Sequence, residues 1–353
     1  MRREEFVRRR FVSLLCIAFA TPAFAAPSVE RIGPLLRAAN FSGELVVSLG
    51  DAPVSMAHGK VRGGQRWRWA SVTKQVIATL VMQEVVAGKV DLDKPVSAYL
   101  PDFKSANATK ITVRQLLRHQ SGLPNPDDTA AGKNGVPAYY AKVDPVLQNP
   151  LTGYCAGPVK GAAGGNWSYN NCDYIVAGAL LEAVTGKSWK TLVAERIAIP
   201  LGLKSLAVFP ASRPTVAGLV GGKAEGRYKF ETFGAAAGLY GTAQDLWAFD
   251  RALMTGKLLP EAARTTMWDG QPELGFIALG QWSFGAELKG CAMPVRIIER
   301  RGAIGGVQVR NFILPDSDVV VIAFTKRDDF DFGEIWQGKG FAFDLLSAAA
   351  CTS

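Results

Sequence analysis

The chain has 353 residues, with 40 Lys and Arg against 31 Asp and Glu, and carries a net charge of +9 at neutral pH. Its basic residues form no long block outside the amino terminus, which argues against nucleic acid as a partner. Only two histidines are present, so a His-based metal site or a Ser-His-Asp triad has few candidate residues.

The first 26 residues have the pattern of an export signal. Basic residues within 2–10 precede an apolar stretch at 11–20 and a small-x-small sequence, Ala-Phe-Ala, at 23–25. Cys16 follows Leu15 rather than a small residue, which disfavours a lipoprotein anchor. No other apolar run reaches the ~18 residues that a spanning helix needs. We therefore expect a periplasmic or secreted protein without a stable membrane anchor.

The first predicted elements of the remaining chain are two strands. The runs Gly43–Leu49 and Pro53–Val61 flank Gly50-Asp51, a combination that predicts a hairpin. His58 lies in the second run, and we interpret it as a solvated side chain rather than a catalytic one.

A helix is predicted next, within the stretch Trp67–Gly88. Apolar residues recur there at three- and four-residue steps, and Gly88 stands where such a helix would end. Ser71 would open this helix, with Lys74 one turn later on the same side. Unpaired backbone N–H groups and the positive end of the helix dipole suit the formation of an oxyanion there. The alternative is that Ser71 only caps the helix and Lys74 is a solvated charge, and Ser-x-x-Lys alone does not decide between the two.

A mainly helical region with one long polar loop follows. Thr112–Arg118 predicts a short helix, and we interpret His119 as a hydrogen-bonding residue at its C-terminal end. Residues 125–166 are rich in Gly, Pro, Asn and Asp, and a loop of that length is usually functional, so we expect it to wall a pocket. Tyr169-Asn170-Asn171 comes directly after this loop, where Asn171 alone would be explained as a cap. Two further helices are predicted at 173–185 and 189–197.

The last third is richer in strands. A helix at 242–256 precedes the strand-like runs Val295–Glu299, Val307–Leu314 and Val319–Thr325, with turns at 302–306 and 315–318. A helix at Phe341–Ala350 ends the chain. Strands at both ends with helices between them predict an α+β fold, with an antiparallel sheet flanked by helices and a mainly helical insertion domain.

The ordered motifs of the chain resemble those of one enzyme superfamily. Ser71-x-x-Lys74 at a helix start, then Tyr169-x-Asn171, then a basic residue and Gly302 on a late strand are similar to the motif set of penicillin-recognising serine enzymes. The chain resembles the class C β-lactamase-like branch, which includes β-lactamases, D,D-peptidases and esterases. Further similar blocks extend over most of the chain: 88–96, 111–117, 119–124, 200–203 and 237–246.

This resemblance implies both a domain organisation and an activity. A sheet domain would comprise residues 27–90 and 205–353, and a mainly helical domain residues 91–204, with the active site at their junction. The protein would be an exported serine hydrolase that forms an acyl-enzyme and hydrolyses an amide, β-lactam or ester. The substrate would be a small molecule or peptide, and no cofactor or metal is implied. The sequence carries no signal of oligomeric state.

The resemblance also implies a role for each motif residue. Ser71 would be the nucleophile, Lys74 its base, and Tyr169 a proton relay to the leaving group. Asn171 would hold Lys74 and the substrate amide. The backbone N–H groups of Ser71 and Ala303 would form an oxyanion hole, with Gly302 beside them.

Arg300 and Arg301 depart from the family pattern, which usually has Lys or His followed by Thr, Ser or Gly. Arginine keeps the positive field but stays protonated, which disfavours efficient β-lactam hydrolysis. Because strand neighbours alternate in direction, we expect one arginine to enter the site and one to face away. The family register places Arg300 inside, where it would bind a substrate carboxylate. A non-catalytic binding or sensor protein of the same fold is the alternative that this departure supports.

Four cysteines lie beyond the predicted signal peptide and allow three pairings. We hypothesise a disulfide between Cys155 and Cys172, which would close the polar loop ahead of Tyr169, and a second between Cys291 and Cys351. Buried free thiols are the alternative.

Overall fold

The computed structural model describes residues 29–351. The predicted signal peptide, residues 1–26, lies outside this range. Within the described residues the helices are α1 Val29–Ala38, α2 Thr73–Val86, α3 Val113–Leu117, α4 Ala138–Ala141, α5 Asn171–Thr185, α6 Trp189–Val193, α7 Ile199–Leu201, α8 Gly234–Ala237, α9 Ala243–Met254, α10 Glu261–Met267 and α11 Phe341–Ala350. The strands are β1 Gly43–Leu49, β2 Ala52–His58, β3 Trp67–Arg68, β4 Ala207–Val208, β5 Leu219–Val220, β6 Lys223–Ala224, β7 Leu239–Gly241, β8 Trp282–Ala286, β9 Val295–Ile304, β10 Val307–Leu314 and β11 Val319–Thr325.

The main sheet has six antiparallel strands in the order β2-β1-β11-β10-β9-β8. Side chains alternate across it, so Leu45 and Val47 of β1 pack on one face and Val46 on the other. Helices α1 and α11 cover the first face, and α2 and α9 cover the second. The expected α+β class, with an antiparallel sheet flanked by helices, is therefore confirmed.

A small sheet, β3-β7-β4, leads the chain from the main sheet to α2. One continuous apolar core joins α2 to the helices of the region 91–204, in particular α3 and α5. Because this core crosses the predicted boundary at residue 90, the division into a sheet domain and a helical domain stays a prediction.

The hairpin and several helix ends agree with the sequence predictions. Leu49 pairs with Ala52, which leaves Gly50-Asp51 as the two-residue turn. Gly88 has a φ of 70°, the left-handed conformation expected just after a helix. The second strand is shorter than predicted, since it ends at His58 rather than Val61.

Two predictions about local structure were wrong. The strand expected at Val295–Glu299 continues to Ile304, because Gly302 and Ala303 pair with Val309 and Gln308 instead of forming a turn. Helix α2 is not amphipathic, since its polar residues Thr73, Lys74, Gln75, Thr79 and Glu84 are buried along with its apolar ones. The apolar spacing identified the helix correctly, but it did not show that the helix is buried on all sides in the protein core.

Both hypothesised disulfides are present, Cys155–Cys172 and Cys291–Cys351. The first joins the polar loop to the first turn of α5, three residues after Tyr169. The second joins the segment after β8 to the end of α11. Among the helices of residues 29–351, none is long and apolar enough to cross a bilayer.

Candidate active site

Ser71 lies in a 3-10 turn, Ala70–Val72, which runs directly into α2. The N–H of Trp69 donates to Leu239 O in β7, and the N–H of Val72 donates to Trp69 O, so the turn is fixed at both ends. Ala70 has a φ of 46°, a conformation that costs a non-glycine residue about 1–3 kcal/mol. This strained turn, rather than the first residue of a regular helix, sets the position of the serine.

Lys74 is fully buried, which excludes the interpretation of a solvated charge. Its Nζ lies 2.6 Å from Asn171 Oδ1, 2.7 Å from Tyr169 OH, 3.0 Å from Ala236 O and 3.2 Å from Ser71 Oγ. Helices α2, α5 and α8 therefore meet at this one amine.

These four contacts can be made by a neutral amine. Asn171 Oδ1 and Ala236 O can only accept hydrogen bonds, so they use the two N–H groups that a neutral amine has. Its lone pair is then directed to the hydroxyls of Ser71 and Tyr169. Burial, followed by the charge of Arg300, holds the pKa of Lys74 well below its usual value. A neutral lysine in contact with a serine hydroxyl can act as a general base.

Asn171 is oriented by the polar loop. Its Nδ2 donates to Asp127 Oδ1 and to Tyr140 OH, each at 3.0 Å, which directs Oδ1 to Lys74. Its backbone N–H donates to Asn125 Oδ1 at 3.2 Å. The capping role falls instead to Asn170, whose side chain accepts from Cys172 N at 2.8 Å.

Tyr169 lies between Ser71 and Lys74. Its OH is 2.5 Å from Ser71 Oγ and 3.4 Å from Nη2 of Arg300. Burial raises the pKa of Tyr169, although Arg300 and the Ser71 hydroxyl oppose this. Tyr169 is therefore a neutral phenol near neutral pH, able to receive a proton from Ser71 while it passes its own to Lys74.

Arg300 enters the site, where the family register placed it, but its main contact is with the protein. Its Nε donates to Ser71 O at 2.9 Å, and its guanidinium is packed 5.3 Å from the ring of Trp282 and 5.5 Å from that of Tyr169. Within residues 29–351 no partner binds its buried Nη1. Binding of a substrate carboxylate thus stays a prediction, with Nη1 left to perform it.

Arg301 does not face away from the site, contrary to expectation. It lines the same cavity, where Glu299 and Glu334 each bind its guanidinium at 2.8–3.0 Å. Two carboxylates compensate its charge, whereas Arg300 has no such partner among the described residues.

Gly302 allows β9 to approach the backbone of Ser71. Strand β8 pairs with β9 only as far as Glu299, so the following residues of β9 lie beside the Ser71 turn. A Cβ on Gly302 would be 2.8 Å from Ser71 N and 3.0 Å from Trp69 O, closer than real side chains come. Ser71 and Ala303 line the cavity together, which places their backbone N–H groups as candidates for the oxyanion hole.

The cavity above Ser71 has a volume of about 390 Å³. Most of its wall is formed by aromatic and aliphatic side chains, namely Phe233, Trp167, Trp282, Ile304 and Val309. Asp127 is the acidic residue of the lining. Sequence reasoning did not single out any of these residues. Asp127 and Trp167 had one signal, their place within or just after the loop expected to wall a pocket.

The two histidines lie outside this cavity. His58 Nδ1 is 2.6 Å from Phe41 O at the edge of the sheet. We expected the His119 side chain to hydrogen-bond the last turn of its helix, and this expectation was wrong. It is fully buried, with Nδ1 2.9 Å from Asp173 Oδ2. No group of three or more His, Cys, Asp and Glu side chains within residues 29–351 is arranged to hold a metal ion.

Comparison with known proteins places these features in a family context. Residues 37–338 match the family model described as Beta-lactamase. Penicillin-binding protein 4 of Amycolatopsis lactamdurans is 31% identical over 211 residues, 55% of this chain and 52% of the relative. The esterase EstB of Burkholderia gladioli is 32% identical over 146 residues, 39% of this chain and 37% of the relative. The chain thus spans about half the length, or less, of these curated relatives.

A solved D-stereospecific amidohydrolase from Streptomyces sp. has a similar fold. It superimposes with a TM-score of 0.75 and covers 92% of this chain and 99% of its own, at 24% sequence identity. At this identity the likeness concerns the fold.

We expect Gly302→Ala to lower kcat/KM for an ester substrate by about a hundredfold or more, the cost of losing one oxyanion donor. The added methyl group would push β9 away from Ser71 N. Gly285→Ala in β8 is the matched control, because a Cβ there meets nothing within 4 Å. Circular dichroism should show that both variants fold, and equal activities in the two would contradict this account of Gly302.

The pH dependence of kcat/KM should report the charge of Arg300. Because Arg300 lowers the pKa of Lys74 and the neutral amine is the active form, Arg300→Gln should raise that pKa and shift the acidic limb to higher pH. Arg301→Gln should leave the limb in place, since Arg301 is not among the groups that shift the pKa of Lys74. A limb that moves to lower pH in Arg300→Gln would refute the proposed sign.

Proposed function

We propose, given that the chain belongs to the beta-lactamase family of serine hydrolases, that it hydrolyses an amide or ester through an acyl-enzyme on Ser71. The observation that carries this proposal is the continuous contact of Ser71 Oγ, Tyr169 OH and Lys74 Nζ at the base of the cavity. It joins a nucleophile, a relay and a base in one chain of hydrogen bonds.

Acylation uses these three groups in sequence. Lys74 takes the proton of Tyr169 while Tyr169 takes that of Ser71, and Oγ bonds to the substrate carbonyl carbon. The N–H groups of Ser71 and Ala303 stabilise the resulting oxyanion. When the tetrahedral intermediate collapses, the C–N or C–O bond breaks and the proton returns through Tyr169 to the leaving amine or alcohol.

Deacylation repeats the steps with water in place of Ser71. Water loses a proton to the Tyr169–Lys74 pair and its oxygen bonds to the acyl carbon. The ester bond to Oγ then breaks, and Ser71 regains its proton. Both half-reactions require Lys74 to begin as a neutral amine, the state that its burial and the charge of Arg300 favour.

The walls of the cavity suggest which acyl groups it accepts. Phe233, Trp167 and Trp282 suit an aromatic or branched apolar group. Asp127 is exposed at the cavity wall, and its Oδ1 is occupied by Asn171 and Tyr140, which leaves Oδ2 for a substrate cation. We infer a preference for substrates with an ammonium group near the scissile bond, as in an amide or ester of an aromatic amino acid.

We also propose that the protein is exported from the cytoplasm. The basic and apolar pattern of residues 1–26 and the two disulfides both suit an oxidising compartment outside the cytoplasm. The mature enzyme would then meet small-molecule or peptide substrates in the periplasm or outside the cell.

A fluorophosphonate should label Ser71 alone, and Ser71→Ala should abolish both labelling and hydrolysis of p-nitrophenyl butyrate. Ser168→Ala is the control, because Ser168 lies next to Tyr169 in the chain yet is not among the residues that line the cavity. Peptide mass spectrometry locates the adduct. An adduct on Ser168 would refute the assignment, and a lasting acyl adduct without turnover would favour the binding or sensor alternative.

Asp127→Asn should lower kcat/KM for phenylalanine amide by about tenfold, as expected for one lost charge pair at a partly exposed site. The asparagine keeps an Oδ1 that can accept from Asn171 and Tyr140, so the site should stay ordered. The matched substrate is 3-phenylpropionamide, which lacks the ammonium group and should be hydrolysed at nearly the parent rate. Testing the D and L amides separately also gives the stereochemical preference. Equal losses on the charged and uncharged substrates would contradict the role of Asp127.

A further inference from the structure

Behind Tyr169 lies a buried pair of titratable groups that the proposed mechanism does not use. The side chains of His119, just after α3, and Asp173, in the first turn of α5, are both inaccessible to solvent. Their Nδ1 and Oδ2 atoms are 2.9 Å apart. Neither residue lines the cavity, so neither can touch a substrate there.

His119 fastens the chain on both sides of Tyr169. Its carbonyl accepts from Ser168 N at 2.9 Å, and its Nδ1 accepts from Asn170 N at 3.3 Å. The imidazole ring also contacts the Tyr169 ring, with centroids 4.8 Å apart. His119 therefore helps to position the phenol that links Ser71 to Lys74, together with Asn125, whose Nδ2 donates to Tyr169 O at 3.2 Å.

The Asn170 contact favours one placement of the protons around Nδ1. A backbone N–H can only donate, so this contact is a hydrogen bond only if Nδ1 presents its lone pair to Asn170. The imidazole proton is then on Nε2, and the single lone pair of Nδ1 is shared between Asn170 N–H at 3.3 Å and a proton on Asp173 Oδ2 at 2.9 Å. The geometry thus describes a neutral imidazole and a neutral carboxylic acid rather than an ion pair.

Burial favours the same state. Lys74 on α2, Tyr169 just before α5, Tyr174 within α5 and Arg300 on β9 face this pair. Burial, followed by the charges of Arg300 and Lys74, holds the pKa of His119 well below its usual value. Burial raises the pKa of Asp173 well above its usual value, although the Ser121 hydroxyl and Lys74 oppose this. An ionised Asp173 would also raise the pKa of Lys74 and so oppose its role as a base.

We propose that Asp173 is a permanently protonated carboxylic acid that donates to His119, and that this neutral pair is a positioning element for Tyr169 and Lys74. The inference rests on the proposed acyl-enzyme function. Its prediction is specific, because an amide can replace a carboxylic acid as a donor but cannot replace a carboxylate as a charge.

The test compares Asp173→Asn with Asp173→Leu in the full-length protein. The asparagine Nδ2 can donate to His119 as the acid does, so kcat/KM should stay within about threefold of the parent, with an unshifted acidic limb. The leucine has a similar size and no donor, so the bond that orients His119 is lost and kcat/KM should fall at least about thirtyfold.

Each outcome has a defined meaning. If the leucine variant does not fold, the asparagine variant alone decides through its pH profile. A limb that shifts to lower pH in Asp173→Asn means that a negative charge was removed, which overturns the inference. A folded asparagine variant as inactive as the leucine variant, or full activity in both, overturns it as well. Fluorophosphonate labelling of the parent is run in parallel, because its failure would refute the proposed function itself rather than the role of Asp173.

Discussion

The burial of one amine among four oxygen atoms is the interaction on which the site depends. Lys74 Nζ contacts groups from its own helix turn, from α5 and from α8, so the helices can only pack as they do if this amine has those partners. A buried charge without compensation would be costly, whereas a neutral amine with satisfied hydrogen bonds is not. The packing of the helices and the chemistry of the base therefore have the same physical origin.

Of the charges that act on that amine, Arg300 lowers the pKa of Lys74, whereas Asp127 raises it to a smaller extent. Arg300 is fixed by the carbonyl of Ser71, which ties the cation to the nucleophile. Asp127, the acid nearest to Asn171, is separated from Lys74 by that asparagine side chain. Arg301 forms ion pairs with Glu299 and Glu334, so the three side chains together contribute little electrostatic potential at Lys74. Arg300, one of the two arginines that depart from the family pattern, thus supports the backbone of Ser71 and lowers the pKa of Lys74.

The sequence predicted the residues whose positions follow from local spacing. Ser71 and Lys74 are one turn apart, and Tyr169 and Asn171 come just before a predicted helix, so each pair could be located without knowledge of the tertiary fold. Residues brought to the site by tertiary packing were missed: Asp127, Trp167, Phe233 and Trp282. The same limit applies to His119, whose partner Asp173 is 54 residues away in the chain. Strand β9 was predicted too short because glycine is rare in strands, although here Gly302 is what allows close packing against Ser71.

The central claim is that Lys74 is neutral in the resting protein, and NMR measures this directly. In protein labelled with ¹³C and ¹⁵N at lysine, the Cε and Nζ shifts of Lys74 would be followed through a pH titration and assigned by comparison with Lys74→Arg. The account predicts that Lys74 titrates well below the surface lysines and is an amine at neutral pH. A Lys74 that titrates together with the surface lysines would contradict it.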